Sequence, residues 1–183
     1  TAITLNVSPT QTLAFNGGGI APSPPPAFTG LLNESYGSGA AAAYSTRRLN
    51  GNITECMVIR RASDSTTQTI GFDGSGNINE ADIISFCTGT TCTVSEWKDQ
   101  SGNGNDATAA AQANEPTIYT GGALVKENGK LALDFDGTDD ELTSTTVPFS
   151  GTTHRTSFTV SNADTATSAD IIYGIDGGNA SAP

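Results

Sequence analysis

The feature that most limits what this chain can fold into is how often its apolar runs are cut short. From Thr93 onward, brief apolar or β-branched stretches alternate with Gly, Asn and Asp turns: Thr93–Lys98, Thr117–Tyr119, Leu131–Phe135, Glu141–Thr143, Ser157–Ser161 and Ile171–Gly174. None is long enough for an amphipathic helix of several turns, and the β-branched and aromatic content suits strands. Met57-Val58-Ile59 and Thr66–Phe72 read the same way. Short strands at close spacing predict an all-β sandwich or jelly roll.

Two stretches break the pattern. Gly37–Asn50 (GSGAAAAYSTRRLN) predicts a short helix: Ser38 caps it, four alanines favour it, and Arg47 and Arg48 lie where the C-terminal dipole attracts cations. Asn79–Phe86 predicts a second, with Asn79 as N-cap, acids in the first turn, and Ile83, Ile84 and Phe86 inward.

The N-terminus has another character. Residues 1–15 alternate Ile3, Leu5 and Val7 with polar neighbours, as a strand would. Residues 16–28 hold three consecutive glycines and then Pro22, Pro24, Pro25 and Pro26, which suits a linker that starts flexible and becomes stiff. The expected organisation is an anchor arm (1–15), a linker (16–28) and a sandwich (29–183). The arm either adds to another protein's sheet or returns to the edge of its own.

Charge excludes some partners. The formal net charge is −11, with only 8 Lys and Arg. No basic footprint for nucleic acid exists, and an anionic membrane surface would repel the chain. No stretch approaches membrane-spanning length, so membrane insertion is not expected. Asn-X-Ser/Thr sequons stand at Asn6, Asn33, Asn52 and Asn179, frequent by chance in so Asn-, Ser- and Thr-rich a chain.

Of the three cysteines, Cys87 and Cys92 flank Thr-Gly-Thr-Thr. Such a turn can bring two Cβ atoms within disulfide reach; the alternative is two reduced thiols on a hairpin, and Cys56 is left as a buried thiol. A zinc site lacks ligands, since His154 is the single histidine and no second cysteine pair is present.

Three oxygen-rich stretches merit comparison with known chemistry. Asp73–Asp82 resembles part of a calcium loop but has no ligand for the first position, so a turn leading into the Asn79 cap explains it better. Asp99–Asp106 offers Asp99, Ser101, Asn103, Asn105 and Asp106 as glycan or calcium contacts, with Trp97 as an aromatic platform. Asx turns and core packing of Trp97 account for the same residues without a ligand. Phe135–Leu142 crowds Asp136, Asp139, Asp140 and Glu141, whereas a glycosidase needs two carboxyls roughly 5–10 Å apart across a sugar. No cofactor is expected, calcium being the one ion these loops suggest. His154 has no Ser or Cys motif to form a triad, and no nucleophile elbow, P-loop or dinucleotide fingerprint occurs.

The strings AAAYSTRRLNGNITECMVIRRASDSTTQTIGF and FCTGTTCTVSEWKDQSGNGNDAT resemble the N-terminal half of the fungal-type α-L-arabinofuranosidase B catalytic domain, over about Leu32 to Asn179. The resemblance implies a concanavalin/LamG-like jelly-roll sandwich and a Cys87–Cys92 disulfide. It also implies that the catalytic carboxylates lie beyond the matched part. A sugar-contacting cysteine pair of that family falls at Ile171-Ile172 here. No catalytic residue carries over, and the sandwich is expected to be incomplete at its C-terminus.

The module also resembles versions in bacteriophage structural proteins, through WKDQSGNGNDAT, LALDFDGTDDEL and the preceding arm. The expected function is therefore a non-enzymatic virion protein: a tail fibre, tail-associated or capsid-decorating component, trimeric or higher. It would contact other virion proteins and host-surface glycans. The alternatives are a fragment of a secreted arabinofuranosidase and a carbohydrate-binding module.

Overall fold

The computed structural model describes residues 28–33, 39–144 and 156–163. The fold is all-β and of the sandwich type, as expected. One antiparallel sheet dominates, ordered β2-β1-β3-β5-β6, from β1 (Glu55–Arg61), β2 (Thr67–Gly71), β3 (Cys92–Trp97), β5 (Thr117–Thr120) and β6 (Ala123–Leu124). The short β4 (Ala107–Thr108) also pairs with β3, at its Glu96–Trp97 end. A small hairpin, β7 (Lys126–Glu127) and β8 (Lys130–Leu131), follows.

β1 lies inside the sheet, paired on one side with β2 and on the other with β3. Its register against β2 slips between Glu55 and Met57. A bulge of this kind upsets strict alternation, and Cys56 and Met57, though consecutive, are both fully buried. Met57, Ile59, Ile70, Val94 and Ile118 form one cluster with Ile83 and Cys87. Each such aliphatic side chain contributes about 1.5–3 kcal/mol by leaving water.

The one α-helix among the described residues, α1 (Glu80–Cys87), lies near the predicted range. The Asn79 side chain caps it by accepting from the Asp82 amide at 3.4 Å. Ile83 and Cys87, four residues apart, bury their shared face. Ile84 is 45% exposed rather than inward, and Phe86 is half-buried beneath the Arg61 guanidinium, 5.5 Å from its ring centre.

The helix predicted over Gly37–Asn50 does not form in residues 39–50. Alanine favours helix only as long as nothing else claims the backbone. Here the carbonyls and amides of residues 40–49 bond across to the 99–105 loop, and Arg47 makes a β-bridge with Asn77.

The remaining strand expectations divide. Only Leu131 of Leu131–Phe135 is in a strand, though Asp134 still bridges Thr117; of Glu141–Thr143, Thr143 bridges Thr108. Ser157–Ser161 makes no strand: Phe158 and Val160 are 94% and 103% exposed. Its alternation is that of a strand, but it has no neighbouring strand among the described residues. The anchor residues Ile3, Leu5 and Val7, the linker up to residue 27, His154 and Ile171–Gly174 lie outside the described residues.

Candidate functional site

The 99–106 loop brings most of the singled-out side chains together. It leaves β3 and returns as β4, and Gly102 and Gly104, at φ of 90° and 74°, provide the left-handed backbone that turns it. Asp99 is nearly buried. Its Oδ1 accepts from the amides of Ala43 and Ser101, each at 2.8 Å. Its Oδ2 accepts from the Ser101 hydroxyl at 2.6 Å and the Asn105 amide at 3.0 Å. Four donors match the lone-pair capacity of a carboxylate, so a calcium ion or sugar hydroxyl at Asp99 would have to displace one of them.

The neighbours are engaged in the same way. Asn105 Nδ2 donates to the Ala41 carbonyl at 2.8 Å. Asn103 Nδ2 reaches the carbonyls of Ala40 and Ala41 and the Ser101 hydroxyl. The Tyr44 hydroxyl donates to the Asn105 carbonyl. Trp97 is half-buried, its ring 6.0 Å from that of Tyr44, and its buried indole N–H has no acceptor among the described residues. Asp106 accepts from the Asp99 amide at 2.7 Å and from Lys98 Nζ at 3.0 Å. Burial works to raise the Asp106 carboxyl, but the amide and the lysine outweigh it and hold it below its usual range. Lys98, opposed by burial yet paired with Glu96 and Asp106, titrates above its usual range.

Two contributors were not legible as such. Gln100, fully buried, donates from Nε2 to the carbonyls of Ser45 and Arg47, and its Oε1 accepts from the Leu49 amide at 2.6 Å. A buried glutamine inside a polar turn is itself the signal, because its amide can satisfy both backbone donors and acceptors. The second is Glu115. Its carboxylate is 2% exposed and accepts from Arg60 Nε at 2.8 Å and from the Thr93 hydroxyl at 2.5 Å, tying β1 to β3 and to the turn before β5.

Cys87 and Cys92 are bridged, with Cα atoms 5.8 Å apart, joining the end of α1 to the start of β3. Cys56 is buried and free; burial pushes its thiol up to about 12.

The acidic turn is a local Asx arrangement. Asp136 Oδ1 accepts from the amides of Thr138 and Asp139, and Asp140 Oδ2 from the Asp136 amide. Asp136, Asp139 and Asp140 offer oxygens within 4.8 Å of one another. The amide of Thr138 first of all lowers Asp136, while burial and then the neighbouring carboxylates raise Asp140. The three lie on one short turn rather than on two walls facing each other across a sugar. The Asp73 loop is likewise a turn, with Asp73 Oδ1 accepting from the amides of Ser75 and Asn77.

Comparison with known proteins decides the family. The family model for the α-L-arabinofuranosidase B catalytic domain matches residues 32–179. The chain belongs to that family. An α-L-arabinofuranosidase B from Emericella nidulans is 39% identical over 116 residues, covering 55% of this chain and 22% of the relative. An α-L-arabinofuranosidase from Hypocrea jecorina is 38% identical over 81 residues, 43% of this chain and 16% of the relative. The chain thus spans about a fifth of the length of the curated relatives it matches. A solved arabinofuranosidase complexed with arabinofuranosyl-α-1,2-xylobiose is 33% identical over 43% of this chain and 19% of its own, with a TM-score of 0.39.

Membership in the arabinofuranosidase B catalytic family overturns the expectation of a bacteriophage structural protein. The match and the relatives are glycoside hydrolases, and none points to a tail fibre or a decorating protein. The virion location falls with it. The arm and the short loop motifs that suggested a virion protein are small beside the matched span of residues 32–179.

Proposed function

We propose that this chain supplies part of the catalytic domain of a secreted α-L-arabinofuranosidase, an enzyme that hydrolyses the glycosidic bond of a terminal arabinofuranosyl group. The observation that carries this reading is the family match over residues 32–179. The Cys87–Cys92 bridge supports secretion, because disulfides persist in oxidising compartments.

Within that enzyme the described residues act as scaffold. Glycoside hydrolysis of the usual kind needs a carboxylic acid to protonate the leaving oxygen and a carboxylate on the other side of the sugar. Asp99 and Glu115 are locked by hydrogen bonds to backbone, hydroxyl and guanidinium groups, and Asp136, Asp139 and Asp140 share one turn. None of these forms a facing pair. The work of this region is to fix the sheet and the 99–106 loop so that a catalytic pair elsewhere in the enzyme has a rigid support.

The test is an assay of the natural protein on an aryl α-L-arabinofuranoside, with the sugar product followed by NMR. Release of L-arabinose supports the reading, and the first anomer formed distinguishes retention from inversion. A natural protein holding the whole matched domain that releases no arabinose counts against it.

A further inference from the structure

We propose that Asn52 is an acceptor for an N-linked glycan. The proposal rests on the secretory reading above, since the oligosaccharide donor, a lipid pyrophosphate, is presented only in the secretory lumen. The sequon is Asn52-Ile53-Thr54. It sits on a turn closed by the Ile53 amide donating to the Asn50 carbonyl at 3.1 Å. The Asn52 amide N–H donates to Asn50 Oδ1 at 2.9 Å. Arg48 clamps the same turn, donating to the carbonyls of Gly51 and Ile53 at 2.6 and 2.8 Å. On this rigid turn the side chains of Asn52 and Thr54 are exposed. The Asn52 carboxamide has no hydrogen-bond partner among the described residues. A glycan there would extend into solvent with no change in packing.

Asn33, the other sequon asparagine among the described residues, is the contrast. Its Oδ1 accepts from the amides of Gly30 and Gly51 at 3.0 and 2.6 Å, and its Nδ2 donates to Asn50 Oδ1 at 3.1 Å. That carboxamide joins two chain segments that approach closely; a Cβ on Gly30 would lie 2.0 Å from the Leu49 carbonyl oxygen. A glycan on its nitrogen would have to fit into this junction, so folded molecules carry theirs on Asn52.

The chemistry is a glycosyl transfer with no redox change. The Asn52 nitrogen bonds to the anomeric carbon, the bond from that carbon to the pyrophosphate oxygen breaks, and the amide proton passes to a base of the transferase. The lipid pyrophosphate leaves with the electron pair.

The experiment expresses the chain with a secretion signal in yeast and maps peptides after peptide N-glycosidase treatment in isotope-labelled water, which marks each formerly glycosylated asparagine. The expected result is label at Asn52 in most secreted molecules and none at Asn33. The label at Asn52 should vanish in N52Q and T54A and persist in T54S. Secreted molecules bare at Asn52, or glycosylated at Asn33, overturn the proposal. If a variant is retained in the cell, the same mapping on protease-protected lumenal material reads the outcome. Arabinofuranosidase activity is not part of the readout. A natural protein that holds the whole matched domain and releases no arabinose counts against the functional reading alone, and a secreted chain bare at Asn52 counts against this proposal alone.

Discussion

Asp99 and Asn105 hold each other across the turn they bound: the Asp99 carboxylate accepts the Asn105 amide at 3.0 Å, while the Asn105 side chain reaches away to the Ala41 carbonyl at 2.8 Å. Through this pair the 99–106 loop closes on itself and at the same time fastens the chain around residues 40–45. A carboxylate with four donors and little exposure is the centre of that fastening.

Replacing Asp99 with Ala removes the carboxylate that accepts four donors and leaves the half-buried Ala43 amide and the buried Asn105 amide unpaired. The expected destabilisation is about 2–4 kcal/mol by urea unfolding. Proteolysis should begin within residues 39–50. N103A, whose side chain is exposed, should cost less than about 1 kcal/mol. Equal effects of the two substitutions would contradict the central role of Asp99.

The Cys87–Cys92 bridge closes a very short loop. Its removal in the double serine variant should lower stability by about 2 kcal/mol, the chain-entropy value for a loop of this size. The loss should be confined to the end of α1 and the start of β3, read as faster amide hydrogen exchange there. Cys56 should behave oppositely to an exposed thiol. With its pKa pushed up to about 12 by burial, it should resist alkylation at about pH 8 until the protein unfolds.

Asp106 gives the fold an acid-sensitive contact. Its carboxyl titrates below the usual carboxylate range in the folded state, despite burial, because of the Asp99 amide and Lys98. A lowered carboxylate stabilises the fold above the unfolded-state pKa, and that contribution is lost as pH falls through the folded one. The unfolding midpoint should therefore drop as pH falls below about 4, and D106N should flatten this part of the profile. An unchanged slope in D106N would assign the acid sensitivity to other groups.

Glu115 and Arg60 make the other polar contact with structural weight. E115A leaves a half-buried guanidinium and the Thr93 hydroxyl without their acceptor, and should cost about 2 kcal/mol in thermal or urea unfolding. E115Q keeps an acceptor and should recover part of the loss. A double-mutant cycle with R60A should show a coupling of about 1 kcal/mol or more.

Much of the sheet could be read from local pattern. Met57–Ile59, Thr66–Phe72 and Thr93–Lys98 are β-rich runs between turn formers, and the Asn79 cap with its two acids marks α1. What could not be read depends on contacts distant in sequence. The four alanines at 40–43 favour a helix until Asp99, Asn103 and Asn105, some sixty positions on, take their backbone groups. Ile84 fits an inward reading on spacing, yet the buried face of α1 is the one that carries Ile83 and the bridged Cys87. The cluster from Trp97 to Asp106 was legible as one place, and its chemistry was not: the same oxygens suit a sugar, a calcium ion or a backbone knot, and only the positions of the 40–45 carbonyls and amides distinguish them.

Activity-guided purification from the natural source tests most directly the proposal that this chain is part of a working arabinofuranosidase. Fractions would be assayed on an aryl α-L-arabinofuranoside and mapped for peptides of this sequence, such as the one around Val58–Arg60. These peptides and the activity should elute together, on a protein whose mass accommodates a complete catalytic domain. Peptides of this chain recovered in quantity on a natural protein with no arabinofuranosidase activity would contradict it.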